Sequence, residues 1–275
     1  WRKLFELKFY DYTSNLSAAW IWSRIRRIGR SRYDLFREKL GYLDGGSATL
    51  LNGMKQAIEA RGGEFRLSTP VTRVTMDSGK VTGVQTPAGI EAFDKVISTI
   101  PLPYVPQVMP DLPADVLAKY RALKNIAVVC VIAKLKKPLT DNFWLNTNDP
   151  EMDIPGIVEY TNLRPLGQHV VYVPFYMPGE HSKYQDDDSV FLDKVRRYLK
   201  KINPALQDSD FIDIRASRYR HAQPICDPGY LAKLPPVKLP VEGLWVADTS
   251  YYYPEDRGIS ESIGFGRQMA RDAVQ

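Results

Sequence analysis

Cysteine and histidine are scarce in this chain, with two of the first and three of the second among 275 residues. Cys130 lies in an apolar run and Cys226 in a proline-rich loop, so no disulfide framework is expected, and a reducing compartment, the cytoplasm, is the expected location. His169, His181 and His221 are scattered and offer no metal-ligand spacing, so no metal is expected. Long apolar runs are missing too. The longest, Ile126 to Ala133, is too short to cross a bilayer, and no basic, apolar and small-residue pattern of a secretory leader opens the sequence. Charge of one sign is not in large excess: the net charge of +5 is modest and mostly dispersed, which does not imply nucleic acid as a partner. Internal repeats and low-complexity tracts are absent as well.

What is present is the composition of a globular chain with a core, 44% hydrophobic and 25% charged. One segment is locally basic. From Trp20 to Arg32 the residues Trp20, Ile21, Ile25 and Ile28 fall at helical spacing, and Arg24, Arg26, Arg27, Arg30 and Arg32 crowd the other faces. Such a helix is either half-buried in a substrate-binding domain, the favoured reading, or a peripheral contact with an anionic membrane.

The sequence opens at Trp1 without Met, inside a helical pattern, and closes inside another, which suggests a fragment. Gly41-Tyr-Leu-Asp-Gly-Gly predicts a loop. Ser47 then caps a helix with Leu50, Leu51, Met54, Ala57 and Ile58 on one apolar face, and Gly62-Gly63 ends it. Short alternating strands are predicted at 64–67, 71–76, 80–86 and 90–93, forming a meander, and a buried strand at 95–100. Helices are predicted at 114–123 and 189–202, and strands at 126–135, 157–160 and 169–175, so that strand and helix roughly alternate. Pro235 to Pro240 is a stiff connector to a last strand, Leu244 to Ala247.

That strand delivers Asp248 to its carboxyl end, where a carboxylate either accepts hydroxyls of a ribose-like chain or caps the next turn. A tyrosine-rich loop follows, Tyr251 to Tyr253, and then a helix opening at Gly258. The amides of Gly258, Ile259 and Ser260 are free donors at the positive end of that helix, worth about 0.3–2 kcal/mol toward an anion. Arg257 is an exposed cation beside them, and Asp186 to Asp188 is an acidic turn that supports a helix start.

Gly41-Tyr-Leu-Asp-Gly-Gly, Ser68-Thr-Pro-Val-Thr-Arg-Val, Phe93-Asp-Lys-Val-Ile-Ser-Thr-Ile-Pro and the block from Gly243 to Ile263 occur in an order that resembles the flavin-containing amine oxidase superfamily, which includes protoporphyrinogen oxidases and phytoene desaturases. The resemblance implies an α/β fold. In it a partial FAD-binding domain, 41–101 with 240–275, interleaves with a mixed α+β substrate domain, 1–40 with 102–239. It implies FAD as cofactor, with Val71 contacting the adenine through its backbone, Asp248 bonding the ribityl chain, and Gly258, Ile259 and Ser260 facing the flavin ring. The implied activity is hydride removal from a C–N or C–C single bond of a small or apolar substrate. A sugar-mutase-like isomerase and a non-catalytic scaffold are the alternatives, and no catalytic base is named.

The sequence departs from the family in two places. Ala247 precedes Asp248 where the family carries glycine, and no G-x-G-x-x-G lies between a strand and a helix. This segment by itself is therefore expected to bind FAD poorly and to be inactive.

Overall fold

Between Asn125 and Leu135 alternate side chains are apolar, and the computed structural model, which describes residues 2–34, 37 and 41–275, makes that stretch the centre of a sheet. The helices are α1 (Arg2–Phe9), α2 (Ala18–Arg30), α3 (Ser47–Glu59), α4 (Val105–Val108), α5 (Ala114–Ala122), α6 (Asp188–Ile202), α7 (Tyr230–Lys233) and α8 (Ile259–Val274). The strands are β1 (Arg73–Asp77), β2 (Lys80–Thr86), β3 (Gly89–Ala92), β4 (Val96–Ser98), β5 (Asn125–Leu135), β6 (Trp144–Asn146), β7 (Gly156–Glu159), β8 (His169–Pro178), β9 (Phe211–Pro224) and β10 (Leu244–Val246). The helical pattern expected at Trp1 starts, among the described residues, with α1.

Two compact units result, one of Trp1–Asn15, Arg32–Ser47 and Asn125–Ile225, the other of Leu16–Ser31, Ala48–Lys124 and Cys226–Gln275. In the second unit the Leu102 amide donates to Asp248, and Arg73 pairs with Asp111 at 2.6 Å, which ties residues 102–124 to it.

In the first unit five strands run in the order β6-β7-β8-β5-β9, every neighbouring pair antiparallel. Val129, Val131, Ala133 and Leu135 of β5 and Val171, Val173, Phe175 and Met177 of β8 share the buried face. Helix α6 covers it with Phe191, Val195, Tyr198 and Leu199, its stripe at the helical period. The rings of Phe175 and Phe191 meet edge to face at 5.1 Å. Each large apolar side chain removed from water here contributes about 1.5–3 kcal/mol. Asp187 caps α6 by accepting the Ser189 amide at 2.8 Å, the role expected of the acidic turn.

Several expectations are corrected. Strand and helix do not alternate through this unit: β5, β6, β7 and β8 follow one another with no α-helix between them, and only β8 and β9 are joined through a helix, α6. The 14-residue β9 is not foreseen: its arginines and aspartate mask a β-branched and aromatic alternation. In the second unit β1, β2 and β3 form the expected antiparallel meander, but 64–67 is not a strand, since no described strand lies beside it to pair its backbone. Helix α3 has the expected punctuation yet buries none of its residues, and Leu51 of its apolar face is 63% exposed.

A charged cluster ties the loop before β7 to α6. The Asp153 carboxylate accepts from Lys183 Nζ at 2.5 Å, Lys194 Nζ at 2.8 Å and the Tyr198 hydroxyl at 2.7 Å. Burial by itself would raise this carboxyl, but the three donors outweigh it and hold it well below the usual carboxylate range. Burial draws Lys183 below the usual lysine value despite its partner, so the favourable side of the cluster is the acid. An acid with a depressed native pKa stabilises the fold above its unfolded value, near 4, and that contribution fades as pH falls toward the native value. Asp153→Asn should therefore lower stability at neutral pH by about 1–2 kcal/mol in urea titration and flatten its decline between about pH 5 and 3. An unchanged midpoint at both ends of that range would contradict this account.

Candidate functional site

The second unit contains one parallel strand pair, β4 with β10, in the register Val96↔Leu244, Ile97↔Trp245 and Ser98↔Val246. Gly243 makes the approach close enough: at φ +83° it sits where a Cβ would fall 2.4 Å from the Asp94 carbonyl oxygen. Its own carbonyl accepts the Val96 amide at 2.7 Å. Trp245 and Ala247 then pack on Met269 and Ala273 of α8, with Phe265 and Tyr251 alongside.

Asp248 leaves β10 at its carboxyl end and uses both oxygens. One accepts the Ser250 amide at 2.7 Å, capping the 3-10 turn Thr249–Tyr252, and the other accepts the Leu102 amide at 2.9 Å from beyond the end of β4. The capping alternative read from the sequence is thus realised. A carboxylate offers about four lone-pair sites, so two remain for other donors. Behind it lie Tyr120 and Tyr230, both buried, and Tyr251, and burial pushes all three phenols well above their ordinary value. Trp245 Nε1 is buried without a hydrogen-bond partner among the described residues.

Downstream, Gly258 is the N-cap of α8, with no side chain capping it. A Cβ here would stand 2.1 Å from Glu261 Oε2, so the Glu261 carboxylate lies folded over the helix start. The positive end of α8 already draws an anion from its own first turn. Ile259 and Ser260 are exposed on that turn. Val71 lies elsewhere in the unit, 42% exposed and just ahead of the first β1 ladder pair, Arg73↔Gln85. The structure therefore brings Asp248 and the start of α8 onto one stretch of chain after β10, while Val71 sits at the entry of the meander.

The three tyrosines divide between neighbours. Tyr251 donates to the Pro235 carbonyl at 2.8 Å, Tyr252 bonds Ser262 at 3.1 Å, and both rings flank Phe265. Tyr253 shares a 2.5 Å hydrogen bond with Ser17 and packs on Tyr230. Arg257 is exposed with no ion pair among the described residues. The cation that matters in this loop was missed in the sequence: Arg24 of α2 reaches Asp256 at 3.0 Å and lies 4.0 Å over the Trp20 ring. Arg27 binds the other oxygen of Asp256 at 3.1 Å, and Ser23 donates to the Pro254 carbonyl at 2.5 Å. Only the pairing of residues 232 apart reveals this grip, and no local signal announces it.

The first unit contributes a second surface. On the sheet face opposite α6 the register aligns Trp144, Val158, Tyr172, Ile132 and Arg215 in one row across five strands. Pro174, Cys130 and Ser217 form the next row on that face, and Tyr176, Val128 and Tyr219 the one after it. This face is apolar and aromatic at its centre with a cation at its edge.

A sequence model of the flavin-containing amine oxidoreductases matches residues 1–253, a span that includes Val71 and Asp248 and stops short of Gly258. Solved structures with a similar fold include an oxidoreductase from Methanosarcina mazei, 20% identical at a TM-score of 0.57 over 74% of this chain and 49% of that one. A candidate protoporphyrinogen oxidase from an Exiguobacterium species is 21% identical at a TM-score of 0.58, over 76% of this chain and 47% of its own. A reduced UDP-galactopyranose mutase is 14% identical at a TM-score of 0.60, over 84% and 54%. The chain thus spans about half the length of these relatives. No helix among the described residues is long and apolar enough to cross a membrane.

If Asp248 is the tie between the two strand ends, Asp248→Ala leaves two inward amides unanswered. The expected loss is about 1–3 kcal/mol, seen as a fall of about 2–8 °C in thermal midpoint by circular dichroism. A midpoint equal to the parent's would remove Asp248 from this structural role.

Proposed function

The chain belongs to the flavin-containing amine oxidoreductase family, and from that premise we propose that it is part of an FAD-dependent oxidoreductase acting on a small or apolar substrate. The observation that carries this reading is that Asp248 and the start of α8, which no side chain caps, follow each other on the stretch of chain that leaves β10 of the parallel pair β4–β10. Ligands bind beyond the carboxyl ends of parallel strands in α/β folds.

The residues fit the cofactor. Asp248 keeps lone pairs for the hydroxyls of a ribityl chain after serving Ser250 and Leu102. Gly258 presents no side chain, and the α8 amides at Ile259 and Ser260 are donors for an electron-rich ring edge. Glu261 supports the same point, since its carboxylate folds onto that helix end. Val71, extended and exposed, would meet the adenine through its backbone. FAD, when bound, supplies the acceptor for a hydride taken from a C–N or C–C single bond. The role of the chain is to hold and orient the cofactor through these residues of the second unit. We assign the cytoplasm as its compartment, consistent with two cysteines that form no disulfide among the described residues.

The similarity to a reduced UDP-galactopyranose mutase favours a second reading, an isomerase that needs reduced flavin and consumes no acceptor. The deciding experiment uses protein from the complete gene, purified with FAD. A flavin absorption spectrum is expected, with occupancy reduced about tenfold or more in Asp248→Asn, whose folding is checked by circular dichroism. Substrate-dependent bleaching under anaerobic conditions would then select the oxidoreductase, and activity confined to the prereduced protein the isomerase. A folded but colourless protein would overturn both and leave a scaffold.

A further inference from the structure

Helix α2 has two unlike sides. Ser17, Trp20, Ser23 and Arg24 turn toward the segment Tyr253 to Asp256, and the indole of Trp20 is buried. The opposite side carries Trp22, 62% exposed, and Ile25, 47% exposed, with Ala18 one turn before and Gly29 one turn after. Arg26 and Arg30 follow Trp22 at successive turns, both exposed and neither in an ion pair among the described residues. Arg24 and Arg27 are different, since Asp256 neutralises them. No acidic residue occurs in α2 itself.

We propose that this outer side of α2 docks on an anionic phospholipid surface. The partner must supply two things together: apolar depth for an indole and a branched aliphatic chain, and a field of negative charge for the two unanswered guanidinium groups. A bilayer interface carrying acidic headgroups supplies both. At 13 residues α2 is about 20 Å long, too short to span hydrocarbon, so it lies in the interface plane with Trp22 and Ile25 inserted. Trp is a residue of membrane interfaces, and arginines on the polar flank keep their charge at headgroup level while their stems lie along the apolar stripe. With only two inserted side chains the attraction is mainly electrostatic, and each arginine contributes about fivefold in affinity at low salt. This inference is independent of the proposed activity.

The test uses the 275-residue protein in sedimentation with phosphatidylcholine vesicles, with or without a third of phosphatidylglycerol. Binding is expected to the acidic vesicles alone, weakening as salt rises. Arg26→Gln with Arg30→Gln should cost about tenfold or more, and Trp22→Ser with Ile25→Ser a smaller loss that persists at high salt. Both pairs replace exposed side chains, and circular dichroism verifies folding; should the apolar pair misfold, the arginine pair decides. Equal sedimentation of parent and arginine variant, or equal binding to neutral vesicles, would overturn the proposal. So would a dimer in size-exclusion chromatography that Trp22→Ser dissolves while vesicles go unbound, which would assign the face to a second copy of the chain.

Discussion

Everything in the second unit hangs on a parallel pairing between two three-residue strands 148 positions apart. So short a ladder cannot hold itself. Gly243 lets the backbones close at one end, and at the other the Asp248 carboxylate bridges the amides of Leu102 and Ser250. Between them Trp245 and Ala247 pack on α8. The acid expected to serve a ligand is therefore also the clasp of the strand ends, and the same geometry that stiffens the fold fixes where its remaining lone pairs point.

A related economy governs the loop that leads to α8. Residues Tyr253 to Asp256 contain no regular structure, yet Ser17, Ser23, Arg24 and Arg27 of one helix hold them through five polar contacts. A helix start is useful to an anionic ligand only when its amides stay in place, and here the preceding loop is fixed from outside rather than by its own turns. Asp256 shared between two arginines is the centre of that restraint, and Arg24 stacked on the buried Trp20 has little freedom to leave it.

Much of this was legible in the sequence wherever the signal is local. The glycine pair after α3, the apolar run of β5, the stripe of α6 and the acid-to-glycine block after β10 are short-range patterns, and each is found where its periodicity or punctuation places it. The failures are long-range. Strand β9 carries Arg215, Arg218, Arg220 and His221 and reads as polar until β5 is laid beside it. The stretch at 64–67 alternates correctly but has no neighbour to complete its ladder. Which face of α2 turns inward could not be told from composition, since both carry a tryptophan and arginines, and the choice is made by a loop more than two hundred residues away. Val71 came from resemblance rather than from any local physical signal, whereas the α8 start is marked locally by a glycine that opens a helix.

The first and last residues of the stretch from Asn125 to Pro224 are partners on adjacent strands, Asn125 of β5 facing Pro224 of β9. A hundred residues of chain thus enter and leave the sheet a single ladder spacing apart, about 5 Å. The stretch is one part of its unit, which also takes in Trp1–Asn15 and Arg32–Ser47. It can lengthen, lose a hairpin or be traded for another of different lining without moving the ends it hangs from. That construction lets the lining of the sheet change by local insertion and deletion while the entry and exit of the stretch stay fixed.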